Sequence, residues 1–259
     1  MLTIKSTVNF ILKIKKDLDK LNNFGKIKVN KFKSKKNNQI DPVTKLDLKI
    51  EKFLRKSITK NFPDHSIFGE EFADQVKISD YKWVIDPIDG TKSMIMGLPT
   101  WSNLIGLYKN QKCILSFANF PVLNKLYLAH SSKTLLYEKG KYKQIFSNRN
   151  VTLNEAKISV NTFHTLKNPK IFNYLKNHKG FFKITGCDAY NFCLIAEGKF
   201  DILIESGLKQ VDILPVVSIV ENAGAIISDW QGKMKFKNGQ VLVSSNNKLH
   251  KNFLRILNK

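Results

Sequence analysis

Apolar residues recur at helical spacing over residues 3–24, through Val8, Ile11, Leu12, Ile14, Leu18 and Leu21, and predict an amphipathic first helix. The basic, Asn-rich stretch KVNKFKSKKNNQI (28–40) breaks that period and reads as a solvated loop or an irregular hairpin. Helical spacing resumes over 43–61 through Val43, Leu46, Ile50, Phe53, Leu54 and Ile58. Asp41-Pro42 supplies a start for it, a cap and then proline at the first helical position. The texture then changes. Strand-like runs appear at WVIDPI, SNLIGLYK, CILSFANFP and KLYLAHSS, punctuated by Gly, Asn, Pro and Lys, and predict an antiparallel sheet packed on the two helices. From about residue 156 strands and helices alternate: KISVN, a helix at 168–178, FFKIT, a helix at 188–198, FDILIES, a helix at 212–224, and AIISDW. That alternation predicts a sandwiched sheet of mixed or parallel character. The chain is therefore expected to be α+β followed by α/β, in two lobes over 1–150 and 151–259, with the join between about 140 and 156.

With 259 residues, 42% of them hydrophobic, the chain can fill one large core or two closely packed ones. No run of 18 apolar residues offers a membrane span, and the lysine-interrupted N-terminus lacks the look of a secretory signal. Three cysteines, Cys113, Cys187 and Cys193, have no metal-site spacing and are odd in number, so a disulfide framework or zinc site is not expected; free thiols point to the cytoplasm. The net charge of +22 raises the question of nucleic acid. Of 43 basic residues, however, only Arg55, Arg149 and Arg255 are arginine. The lysines are spread along the chain, where groove readout favours clustered guanidinium forks. The expected consequence is non-specific attraction of anions, including a small anionic substrate.

The chemistry concentrates in WVIDPIDGT, residues 83–91, where an apolar strand runs into Asp86 and Asp89 around Pro87. Two carboxylates on one turn repel each other unless a cation sits between them. Gly90 permits a tight approach before a helix start near Thr91, where backbone N–H groups could hold an anion. Carboxylates with a backbone carbonyl make a hard-cation site suited to Mg²⁺. Glu70 and Glu71 precede this strand, Asp212 opens an apolar helix, and Asp47 lies on the second helix. Taken singly, Asp212 reads as a plain helix N-cap and Asp47 as a solvated helix residue; it is their combination with the other acids that points to a site. Five histidines, His65, His130, His164, His178 and His250, are scattered without pairing and suggest no histidine chemistry.

GEE at 69–71, WVIDPIDGT, and VDILPVVSIVENAGAIISDWQG at 211–232 resemble the signature motifs of the inositol-monophosphatase family of Mg²⁺-dependent phosphomonoesterases, and DPVTKLD at 41–47 is similar to a further family segment. The resemblance spans roughly residues 40–232. It implies a layered αβαβα sandwich. It also implies that Glu70, Asp86 and the Ile88 carbonyl hold one Mg²⁺, that Asp86, Asp89 and Asp212 hold a second, and that a third ion can sit near Glu70. Asp47 and Thr91, with Glu70, would act on the attacking water; Gly90 and Thr91 N–H groups would bind phosphate. Val211 departs from the pattern, standing where many members have Trp.

The runs DGTKSMIMGLPTWSNLIGL, GCDAYNFCLIAEGKFDILIESGL and AGAIISDWQGK are similar to bacterial histidinol-phosphate phosphatases of this family, and imply histidine biosynthesis. On that match Glu205 and Asp188 would face the alcohol part of the substrate. The residues alone leave Asp188 open as an N-cap, Glu205 as a solvated strand end and Trp101 as core or pocket wall. A myo-inositol phosphate or related sugar phosphate would accept the same carboxylates through its hydroxyls. A basic, RNA-associated member with secondary phosphatase activity is the remaining reading. The family also implies a homodimer and inhibition by Li⁺.

Overall fold

Hydrophobic alternation along the strands divides the molecule into layers. The computed structural model describes residues 3–22, 29–34 and 40–258. Its larger sheet has seven strands in the order Ser66–Gly69, Tyr81–Asp89, Ser102–Lys109, Lys112–Phe120, Lys125–His130, Lys133–Glu138 and Lys141–Gln144. Only the first pair is parallel. Side chains at successive positions point to opposite faces. Trp83, Ile85, Ile105, Phe117 and Leu128 pack with Ile11, Ile14 and Leu18 of helix Ile4–Asn22 and with Ile50, Leu54 and Ile58 of helix Lys45–Asn61. Val84, Leu104, Ala118 and Tyr127 face the other way, onto helices Asp188–Ala196 and Val217–Asn222.

A second, five-stranded sheet closes over those inner helices. Its order is Phe182–Ile184, Ile158–Val160, Ile202–Glu205, Val241–Ser244 and Ile226–Ser228; the first three strands are parallel and the last two pair antiparallel. Leu203, Val241 and Val243 point inward, while Ile202, Ile204 and Leu242 point outward to helices Pro169–Asn177 and Asn247–Asn258. The result is the expected αβαβα stack, with a mixed second sheet. Among the described residues no helix is long and apolar enough to cross a membrane.

Two boundaries differ from expectation, and one open reading is decided. Asp41 and Pro42 do not start the second helix; they lie in strand Ile40–Thr44, paired antiparallel with Val29–Ser34, so the basic stretch forms the irregular hairpin, with residues 35–39 outside the described ones. Thr44 is the true cap: its hydroxyl accepts from the N–H groups of Leu46 (3.1 Å) and Asp47 (3.4 Å), and Asp47 Oδ2 accepts from Thr44 N (2.8 Å). This reciprocal box satisfies the first backbone donors of the helix. The helix expected at 212–224 is broken into Gln210–Ile213, a 3₁₀ turn at Leu214–Val216, and Val217–Asn222. Pro215, with no N–H to give, sits at the break. Gly106 lets that turn lie flat on the large sheet, since a Cβ there would stand 2.9 Å from Pro215 Cα. Lastly, Asp188 is not the N-cap of its helix, a position Cys187 holds.

Beside the five-stranded sheet His250 is 4% exposed, with Nε2 2.9 Å from Ser228 Oγ and Nδ1 3.2 Å from Ser244 Oγ. Burial pushes its pKa down to about 4. The folded chain thus favours the neutral ring, and the stability this contributes is present above the unfolded value near 6.5 and lost as pH falls toward 4. Unfolding free energies from urea titrations between pH 7 and 4.5 should fall more steeply for the wild type than for His250→Asn, the difference reaching about 2 kcal/mol.

Candidate active site

Asp86 and Asp89 end the strand Tyr81–Asp89, and both are almost fully buried. The ladder with the neighbouring strand holds at Asp86, paired with Leu104, and resumes at Asp89, paired with Ser102. Between them Pro87 has no N–H to donate, and the bulge frees the carbonyls there from ladder pairing. Asn103 Nδ2 takes up the Pro87 carbonyl at 2.7 Å. The Ile88 carbonyl instead lies 2.9 Å from Thr91 Oγ1, which is also 3.2 Å from Asp47 Oδ1. One hydroxyl proton cannot serve two acceptors at once. When it goes to Asp47, the Ile88 oxygen is left for another partner. Gly90, at φ +77°, makes the left-handed turn that brings Thr91 back over the strand end, packed against Trp101, which belongs to the core.

The acids arrive from separate parts of the chain. Glu70 follows the edge strand Ser66–Gly69, and Asp212 sits in the short helix Gln210–Ile213, where its Oδ2 accepts from Lys209 N at 2.7 Å. Asp212 therefore caps from the third helical position, not as the N-cap itself. Burial raises the pKa of Asp86 strongly, and Glu70, Asp89 and Asp212 raise it further. Asp89 is raised well above the carboxylate range by burial, Asp188 and Asp212, although Ser102 Oγ and Ala189 N both donate to its Oδ2 at 3.2 Å. Burial, Asp188 and Glu70 push Asp212 up to about 7. Asp47, buried in its cap, is raised by desolvation against the pull of its hydrogen bonds.

Glu70, Asp86, Asp89 and Asp212 are thus brought together, with the Ile88 carbonyl, Asp47 and Thr91 beside them. Asp86 Oδ1 is buried without a hydrogen-bond partner among the described residues. A buried carboxylate oxygen left bare among like charges fits a cation, and an all-oxygen donor set fits Mg²⁺. Among the described residues no three of these groups yet stand in a ligating arrangement, and Glu70 Oε1 is held at 2.5 Å by Lys209 Nζ.

Asp188, half-buried at its helix start, is a principal charged neighbour of Asp89, Asp212 and Glu205 alike. Glu205 is buried: Asn161 N (2.8 Å) donates to Oε2, and Thr165 Oγ1 (2.8 Å) and Ser206 N (3.1 Å) to Oε1. Its pKa is pushed up to about 8, by burial first and Asp188 second. Val211, in the place of a family Trp, is buried in the central core.

Sequence reading missed two contributors. Glu51 is fully buried and collects the backbone N–H groups of Glu70 (3.1 Å), Glu71 (2.7 Å) and Phe72 (3.2 Å), while Arg55 Nε holds it at 2.8 Å. The turn that carries Glu70 is thereby tied to the second helix. An opposite-charge pair four residues apart was a visible but weak sign. Lys209 carried no signal beyond its place three residues before Asp212.

A family model described as "Inositol monophosphatase family" matches residues 6–259, and the chain belongs to that family of metal-dependent phosphatases. It is 34% identical over 207 residues to the "Bifunctional phosphatase IMPL2, chloroplastic" of Arabidopsis thaliana, a match covering 78% of this chain and 59% of that protein. It is 32% identical over 217 residues to the "Histidinol-phosphatase" of Chlorobaculum parvum, covering 82% of each. Among solved structures, Thermotoga maritima IMPase superposes with a TM-score of 0.82 at 25% identity, over 98% of this chain and 97% of that one.

The raised acids have a direct consequence for stability. Each takes up its proton more readily folded than unfolded, so the stability it contributes is present at acid pH and lost as pH rises, for Asp212 between about 4 and about 7. Thermal midpoints recorded in chelator should show this loss, and Asp86→Asn should make it shallower. Millimolar Mg²⁺ should restore the wild-type midpoint at pH 7.5 and do much less for Asp86→Asn.

Proposed function

We propose that the chain is a Mg²⁺-dependent phosphomonoesterase that hydrolyses L-histidinol phosphate to L-histidinol and phosphate. Family membership supports the phosphatase class, and the bare Asp86 oxygen among four crowded acids supports the metal. Glu70, Asp86 and the Ile88 carbonyl would hold one ion; Asp86, Asp89 and Asp212 would hold a second, with a third possible at Glu70. Bound there, the metal supplies an acidified water and charge to stabilise the attacking and leaving oxygens.

The chain's own groups do the rest. Thr91 Oγ1 donates to Asp47, which turns its lone pairs outward to accept a proton from the attacking water. Asp47, with its raised pKa, is the nearby reservoir for that proton, and Glu70, on the partly exposed side, orients the same water. Backbone N–H groups of Gly90 and Thr91 receive the phosphate oxygens. No covalent intermediate is required.

The observation that carries the substrate reading is the position of Asp188. Its carboxylate is a charged neighbour of Asp89 and Asp212 on one side and of Glu205 on the other, so it would bring negative charge to the alcohol side of the phosphate. A cationic amino alcohol gains from that charge; a neutral polyol gains only hydrogen bonds. Asp188, half-buried, faces the substrate, and Glu205 stands behind it with its oxygens committed to Asn161, Thr165 and Ser206. The similarity to a histidinol-phosphatase supports the same reading. Three buried free cysteines support a reducing compartment, the cytoplasm, and family membership supports a homodimer.

Phosphate release from histidinol phosphate, inositol 1-phosphate and other small esters tests this directly. Histidinol phosphate should be the preferred ester by kcat/KM, chelator should abolish activity, and Asp89→Asn should lower kcat about a hundredfold or more. Asp188→Asn should raise KM for histidinol phosphate more than for inositol phosphate. Preference for inositol phosphate overturns the substrate; activity indifferent to chelator overturns the metal.

A further inference from the structure

Lys209 touches this site twice. Its backbone N–H binds Asp212 Oδ2 at 2.7 Å, which fixes the base of the residue beside the acid cluster. Its ammonium reaches Glu70 Oε1 at 2.5 Å, joining positions 139 residues apart in the chain. The two ends of the lysine therefore touch two acids assigned to different metal positions. The Glu70 side chain is 14% exposed, so little water screens the pair, whereas the lysine side chain is 37% exposed and has room to leave. A lysine is a compact point charge on a flexible stem and can swing its head into solvent at modest cost. A divalent ion and an ammonium on the same Glu70 oxygen repel each other and compete for its lone pairs, so each weakens the other's hold.

Resting on the metal reading above, we propose that Lys209 is an internal counter-cation that occupies Glu70 in the metal-free protein and competes with Mg²⁺ for it. Loading is then an exchange: the ammonium leaves Glu70 as the ion arrives. The lysine offsets repulsion among the acids before loading, and it opposes the negative field on Asp212. The same contact weakens metal affinity, because part of the binding energy goes into displacing the ammonium. Glu51 makes the exchange local, since it holds the Glu70 backbone in place whichever cation the side chain meets.

The test is calorimetric titration of Mg²⁺ into the metal-stripped full chain, with thermal midpoints of the stripped proteins alongside. Lys209→Gln should bind Mg²⁺ about five- to tenfold more tightly than the wild type while its stripped form melts lower. Lys209→Met should behave alike, and Lys209→Arg, which keeps the charge, should stay within about twofold of the wild type. In a Glu70→Gln background the gain from Lys209→Gln should vanish, because the contested oxygen has gone; a general field effect of the lysine would persist there. Unchanged or weaker Mg²⁺ binding in both Lys209→Gln and Lys209→Met, or a gain undiminished with Glu70→Gln, overturns the exchange and leaves the metal site standing. No Mg²⁺ binding by the wild type or by either variant overturns the metal reading beneath it.

Discussion

Crowding of like charge at the end of one strand is the constraint around which the rest of the molecule is arranged. Asp86 and Asp89 are buried on a strand whose flanking residues, Val84 and Ile85, anchor two different apolar layers, so the acids cannot retreat to water. Asp212 and Glu70 are then added to the same place from other elements, and burial first, with mutual repulsion added to it, raises the pKa values of Asp86 and Asp212. Buried charge of this kind is retained only when a cation or a proton compensates it. The Lys209 ammonium, paired with Glu70, supplies one such positive charge beside the cluster.

Precision at such a site comes from the turns, caps and packing contacts that hold the acids. The bulge at Pro87 releases the Ile88 carbonyl, Gly90 turns Thr91 back toward Asp47, and the capping box at Thr44 fixes Asp47 in its rotamer. Glu51 anchors three consecutive N–H groups of the Glu70 turn. On the far side, Gly106 allows Pro215 to lie against the large sheet and so sets the depth at which Asp212 enters. These supports are anchored on the packed strands and helices, so the acids are held in place against their mutual repulsion.

The layer order was legible because its signals are periodic. Helix spacing in residues 3–24 and 43–61, strand-like runs from Trp83 to His130, and later alternation of strand and helix correspond to the five layers. Boundaries were less legible. Asp41-Pro42 carries a helix-start signal as good as that of Thr44, and only pairing of residues 40–44 with 29–34 decides between them. Pro215 broke a helix that apolar periodicity alone carried through. For Asp188, local capping chemistry and a place in the acid cluster were equally open from sequence, and the position of Cys187 at the cap removes the first.

By itself the sequence determined the family, because DPIDGT with its upstream GEE and downstream aspartate is a local pattern of residue types at set spacings. What only tertiary structure decided is which groups meet. Lys209 reaches Glu70 across 139 residues, Glu51 reaches the Glu70 turn, and Glu205 turns its oxygens to Asn161, Thr165 and Ser206. The physical reason is range. Spacing along a chain encodes contacts within a turn or two, whereas a charge answers to whatever the folded layers bring within a few ångströms of it.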